Sequence, residues 1–350
     1  MNLLFGILLH GIGAFSASVC YTPQKKTVSW SWQTYWLMQA AVCWLLLPVI
    51  VAWITIPHLV QVLAEAPGNA MWRSFILGAL YGIGGTAFGL AIRYVGFSLT
   101  YAISVGISCV LGTLLPPLYR GELGAILSDT GGGWILSGIT IGAAGIALCG
   151  LAGHSKEKDI AKRSNSQTVF SLSIGLPLCI LAGVLSAVYG FSLDQGQPIA
   201  DVAAQYGAGH FQGNVIYIFS NTGAFLSTMI YCLYLHLKQK TFKEYISLPP
   251  GPKTGKRVLS LNYILAVITG VLWYTQFFFY GLGHMRMGAY KFTSWAIHMI
   301  MLVLISALIG ILLKEWMNSS KSTRFYLIAA IFTLIVSVLI LTYGNYLGQS

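Results

Sequence analysis

Long apolar runs alternate with short polar breaks along the whole chain. Each run is about 20 residues, enough for a helix to cross a hydrocarbon core of roughly 30 Å at 1.5 Å per residue. Ten runs are read as helices: Leu3–Thr22, Gln33–Ile56, Trp72–Tyr94, Phe97–Tyr119, Trp134–Gly153, Phe170–Leu193, Gly213–Leu237, Leu259–Gly283, Phe292–Leu313 and Arg324–Tyr343. The pattern predicts an all-α polytopic membrane protein with no extramembrane domain.

Composition supports this reading. Of the 350 residues, 56% are hydrophobic and 8% charged, against about 25% charged in an ordinary soluble domain. The net charge of +11 lies in short loops rather than in one folded basic patch, so nucleic acid is not an expected partner. Sixteen of the 20 Lys and Arg residues fall at the ends of odd-numbered runs or the starts of the next ones; the other side carries Arg73, Arg120, Arg286 and Lys291. This positive-inside asymmetry supports an even number of spans and places both termini outside. The first run lacks a basic leader, which argues for an uncleaved span. The segment LKQKTFKEYISLPPGPKTGKR, after the seventh run, reads as a solvated connector, with lipid headgroups as its alternative contact. The six cysteines have no CxxC spacing, so packing is expected rather than disulfides or zinc.

The halves resemble each other weakly. Phe15-Ser16-Ala17 recurs as Leu185-Ser186-Ala187, and the AIRYVGFS link after the third run has a counterpart in GLGHMRMG after the eighth. The runs after these links end in Arg120-Gly121-Glu122 and Lys314-Glu315. Five spans per half require the second half to enter the membrane from the opposite side. The expectation is two inverted five-helix repeats, residues 1–160 and 161–350, a layout that places a transported solute near the midplane.

The chemistry concentrates between Trp273 and His298, where Gln276, His284 and His298 lie among aromatics. Polar groups at membrane depth are costly and commonly line a solute or ion path, so the first expectation is a transporter. The chain has no HExxH motif and no paired carboxylates at mid-depth, so neither an intramembrane enzyme nor a metal site is indicated, and no cofactor is implied. The run GIGGTAFG, with Gly82, Gly84, Gly85 and Gly89, is read as a surface for close helix approach.

Ten spans in two fives, with the tight A-x-R-Y-x-x-x-S link, resemble the drug/metabolite transporter superfamily. More closely, SVCYTPQKKTVSWSWQTYW, LWYTQFFFYGLGHMR, SWAIHM and LLKEWMN are similar to segments of the L-rhamnose/proton symporter family. The resemblance covers nearly the whole chain. It implies an inner-membrane permease that takes up L-rhamnose or a related deoxy sugar with protons; alternating access is the expectation from the inverted repeat, and no obligatory protein partner is implied. The alternative is a carrier exporting another small neutral or amphipathic solute.

A proton-coupled carrier needs a titratable group that sees both sides. All nine acidic residues fall in loops or at helix ends on these boundaries, which leaves histidines, whose ordinary pKa of about 6.5 suits the task. His10 lies roughly 10 Å, and His298 roughly 9 Å, below the outer ends of their helices at 1.5 Å per residue. Trp273 and Gln276 fall in the same layer. His284 and Asp194 are more peripheral candidates, Arg93 is expected to snorkel, and Glu122 and Glu315 are expected to pair with adjacent basic residues. For a sugar, Trp273, Phe277 and Tyr280 share a helix face at i, i+4, i+7, with Gln276 beside it, offering rings for C–H faces and an amide for hydroxyls. Ser186, Tyr189 and Asn221 are secondary candidates.

Overall fold

The computed structural model describes residues 3–164, 171–248, 255–317 and 319–348, with the side chains at 93, 97, 160–164, 289 and 290 excepted. Lys253, Phe170, Asn318 and the side chains of Arg93, Lys162 and Arg163, all used above, therefore lie outside the described residues. No strand occurs among the described residues.

Ten helices are long and apolar enough to cross a membrane. They are α1 (Leu3–Val19), α2 (Trp32–Thr55), α3 (Gly68–Val95), α4 (Phe97–Tyr119), α5 (Gly132–Ser164), α6 (Leu172–Gln195), α7 (Ile216–Gln239), α8 (Lys256–His284), α9 (Ser294–Leu312) and α10 (Lys321–Leu347). Every one presents large apolar side chains outward, such as Leu4, Trp53, Trp72, Ile230, Ile264 and Phe332, while Ser, Thr, Asn, Gln and His lie inside. That polarity inverts the arrangement of a water-soluble protein and suits a lipid surround. Three short helices, Leu59–Glu65, Leu123–Ser128 and Gln197–Gln205, occupy breaks read above as loops.

The chain forms two compact units, each drawing on both sides of residue 160. One comprises Met1–Ser18, Gly84–Phe191 and Leu282–Ser350; the other comprises Val19–Ile83 and Ser192–Gly281. In the first unit, α5 and α10 lie against each other, and a Cβ on Gly138 or Gly145 would run into Leu341 or Leu334. Close backbone approach of this kind replaces the hydrophobic driving force that lipid cannot supply. The α3–α4 link is a single residue, Gly96, with φ of 81°. The α8–α9 link is longer and contains the 3-10 turn Gly288–Thr293, entered through Gly288 with φ of 69°.

In the second unit, α3 and α7 meet through a reciprocal pair: a Cβ on Gly78 would strike the backbone of Ser220, and one on Gly223 the backbone of Phe75. Within GIGGTAFG, Gly82 faces Ala224 and Ser227 of α7, and in the first unit Gly84 faces Leu185 of α6. Gly85, by contrast, has open space beside it.

The acidic residues differ in role from the expectation. Helix α5 continues past Gly153 through a charged stretch, so Glu157 and Asp159 project on a helix rather than a loop. Glu157 Oε1 accepts from the Ser98 N–H at the start of α4 (3.1 Å), and Asp159 Oδ2 accepts from the Ser320 N–H (2.9 Å) and the Thr323 hydroxyl (3.0 Å) at the start of α10. In the other unit Glu244 accepts from the Ser31 N–H (2.8 Å), the Ser31 hydroxyl (2.8 Å) and the Thr34 hydroxyl (2.6 Å) at the start of α2. Each carboxylate satisfies free N–H groups and the positive dipole end of a helix. Part of the expected solvated connector is thus a structural cap. Glu122 pairs with neighbouring Arg120 (2.8 Å), but Glu315 pairs with Lys156 of α5 (3.3 Å) and not with adjacent Lys314.

Candidate functional site

In the second unit, the α8 stripe adopts the expected face: Trp273, Phe277 and Tyr280 are buried and Gln276 beside them is half-buried. The Trp273 ring meets three others edge-on: Tyr21 at 5.1 Å, Trp36 at 5.6 Å and Trp44 at 5.4 Å between centroids. Trp36 in turn stacks on Tyr21 (6.1 Å) and on Trp32 (5.0 Å). These edge-to-face and offset geometries are the ones the ring quadrupole favours. Tyr217 of α7 closes the stripe further along, donating its hydroxyl to the Phe277 carbonyl (2.7 Å) and lying 6.3 Å from Tyr274. Asn221, one turn on from Tyr217, is fully buried.

Sequence reasoning missed Trp36 and Trp44 because eight residues of regular helix would rotate them about 80° apart. The structure brings them together with a π-helical turn over Ala41–Leu46. Such a turn inserts one residue, so the eight steps act as seven and the offset shrinks to about 20°. Pro48 supplies the local cause. It has no N–H for the carbonyl four residues back, that of Trp44, and its ring crowds that carbonyl. The readable signal was therefore Pro48, four residues after Trp44 and twelve after Trp36.

In the first unit, His10 of α1 and His298 of α9 are both buried, with ring centroids 6.0 Å apart and planes at 66°. Two glycines let the helices close around them: a Cβ on Gly283 would lie 2.9 Å from His10 Nε2, and one on Gly11 would lie 3.0 Å from the Met301 methyl. His284 Nδ1 lies 3.1 Å from the Ser294 hydroxyl, next to the link. Among the described residues no aspartate or glutamate is buried. His10 and His298 are thus buried titratable side chains with no buried carboxylate among the described residues. Asp194 belongs to the other unit, where it is half-buried and accepts from the Gln195 amide at 3.5 Å.

Ser186 and Tyr189 also fall in the first unit, around Trp295. The indole Nε1 donates to the Ser108 carbonyl (3.0 Å) and lies 3.3 Å from the Ser108 hydroxyl, which donates to Ser186 Oγ (2.9 Å). Tyr189 stands 6.2 Å from the Trp295 ring, and Gly112 and Gly190 make room for it: a Cβ at either would crowd the indole. Among the described residues, no group of three or more His, Cys, Asp or Glu is placed to hold a metal ion.

Ten apolar helices among the described residues, with aromatics, hydroxyls and histidines buried within each unit, define a polytopic membrane protein. The chain belongs to the family described as L-rhamnose-proton symport protein, whose profile matches residues 1–346, a family of transporters rather than enzymes. It is 34% identical over 321 residues, 91% of each chain, to the L-rhamnose-proton symporter of Cronobacter sakazakii. It is 32% identical over 324 residues to that of Mannheimia succiniciproducens, covering 91% of this chain and 92% of the relative. Against the Yersinia pestis protein of the same name it is 32% identical over 321 residues, 91% of each chain.

Proposed function

We propose that this protein carries L-rhamnose, or a closely related deoxy sugar, into the cell together with protons, in the inner membrane with both termini outside. Transport proceeds by alternating access of two inverted five-helix repeats, residues 1–160 and 161–350. The observation that carries this reading is the buried Trp273 stripe of a chain that is related over nine-tenths of its length to named L-rhamnose-proton symporters. A 6-deoxy sugar has an apolar C–H face and a methyl group alongside several hydroxyls. Trp273, Phe277 and Tyr280 suit the first, and the Gln276 amide the second. Ser186 and Tyr189 are the outlying members of the substrate set, since the Ser186 hydroxyl already accepts from Ser108.

His298 is the proton-coupling group, with His10 as its neighbour, because burial without a carboxylate leaves imidazole as the chemistry for reversible protonation. The test is counterflow of labelled L-rhamnose in proteoliposomes, challenged with a panel of sugars. Exchange driven by L-rhamnose and blocked only by similar deoxy sugars supports the reading. No exchange with L-rhamnose, but exchange with an unrelated solute, would replace it with the carrier of another small molecule.

A further inference from the structure

Three buried side chains on α2 and α8 keep polar atoms without a hydrogen-bond partner among the described residues: both amide atoms of Gln39, the indole Nε1 of Trp44 and the hydroxyl of Tyr274. All three belong to the second unit and are at most a few per cent exposed. Their placement is mutually consistent. A Cβ on Gly270 of α8 would lie 2.8 Å from the Gln39 carbonyl of α2, so these helices are in close approach there. Tyr274 is four residues beyond Gly270 and shares its face, while the Trp44 ring is 5.4 Å from that of Trp273. Gln39 lies one turn after Trp36 and ahead of the π turn that swings Trp44 toward the same ring.

Buried amides are ordinarily satisfied, and one with neither atom paired destabilises the fold that contains it. Because both the oxygen and the nitrogen of Gln39 lack partners, exchanging them end for end does not remove the deficit. Nearby Tyr35 shows what satisfaction looks like on the same helix: its hydroxyl is 2.6 Å from Thr269 Oγ1 and 3.2 Å from the Leu265 carbonyl. π turns concentrate at functional positions, where they place a side chain that regular helix would misdirect.

We propose that Gln39, Trp44 and Tyr274 form the hydroxyl-recognising part of the sugar site, with Trp273 as the ring against which the sugar's C–H face stacks. The Gln39 amide donates to one sugar oxygen and accepts from an adjacent hydroxyl, as a vicinal diol allows. Trp44 Nε1 donates, and the Tyr274 hydroxyl donates or accepts. Specificity for hydroxyl pattern then resides on α2 as well as α8, and the inference rests on the sugar-transport reading above.

The test uses the full chain in proteoliposomes and in detergent, with L-rhamnose as the probe and Gln39→Met, Trp44→Phe and Tyr274→Phe as variants that remove the polar atoms, the first and last keeping the side-chain shape. Each is expected to raise the L-rhamnose concentration for half-maximal counterflow, by about tenfold for Gln39→Met, as loss of one or two net hydrogen bonds implies. Gln39→Met is also expected to melt at the same temperature as the parent or higher, since it removes an unmatched buried amide. Unchanged half-maximal concentrations in all three variants would overturn the proposal. So would a Gln39→Met protein that binds poorly and melts lower, because the amide would then be a structural element. Wild-type protein inactive toward L-rhamnose but active toward another solute would instead refute the transport reading itself.

Discussion

Two buried tryptophans, one in each compact unit, have opposite surroundings. Trp295 is finished: its indole N–H is donated to Ser108, Ser108 is bonded to Ser186, and Gly112 and Gly190 make room for the ring. Trp273 is surrounded by rings, but Trp44, Tyr274 and Gln39 near it hold polar atoms that the described residues leave unmatched. The two indoles are buried to a similar degree, so burial alone does not separate packing from binding. Their hydrogen bonding does differ, and a fold that leaves donors buried and unpaired gains when a polyol supplies the partners. The histidine pair of the first unit adds a third condition, a titratable couple with no buried carboxylate among the described residues.

The largest effect is expected from His298→Ala, which should abolish accumulation of L-rhamnose under an inward proton gradient while leaving counterflow; uptake that still follows the gradient would remove His298 from coupling. Next, Trp273→Leu should raise the half-maximal L-rhamnose concentration more than tenfold, as loss of a stacking face and its burial implies at roughly 1.4 kcal/mol per decade. Trp295→Phe should raise that concentration far less than Trp273→Leu does, but lower thermal stability by at least about 1 kcal/mol, since it loses a buried hydrogen bond and leaves a void. If Trp295→Phe impaired binding and Trp273→Leu impaired only stability, the assignment of the two rings would be reversed. The smallest effect belongs to Arg120→Ala: its ion pair with Glu122 is exposed, and such pairs contribute about 0–1 kcal/mol. Melting and counterflow should both match the parent.

The ten spans were legible because a bilayer demands about 20 consecutive apolar residues, a signal that hydropathy carries directly. The helices Leu59–Glu65, Leu123–Ser128 and Gln197–Gln205 were not, being too short to impose a hydrophobic period on their loops. Glu157 and Asp159 looked like loop residues because the charged end of α5 leaves the apolar run while remaining helical. Glu315 was assigned to its sequence neighbour, but its partner Lys156 is distant in sequence, a tertiary fact.

At the site, the α8 face followed from i, i+4, i+7 spacing, and the depth argument brought His10 and His298 to one level; the structure sets their rings 6.0 Å apart. Gln39 escaped notice as a single polar residue in an apolar run. Its meaning depends on what surrounds its amide, which no periodicity reports. Trp44 escaped because the π turn breaks the period on which the face was counted.

Proton movement driven by sugar tests symport directly. Proteoliposomes containing the full chain and a trapped pH-sensitive dye are given L-rhamnose outside, with no initial pH gradient. Coupled transport predicts acidification of the lumen that follows L-rhamnose addition and is lost in His298→Ala. Entry of labelled L-rhamnose without acidification in the wild-type protein would contradict it.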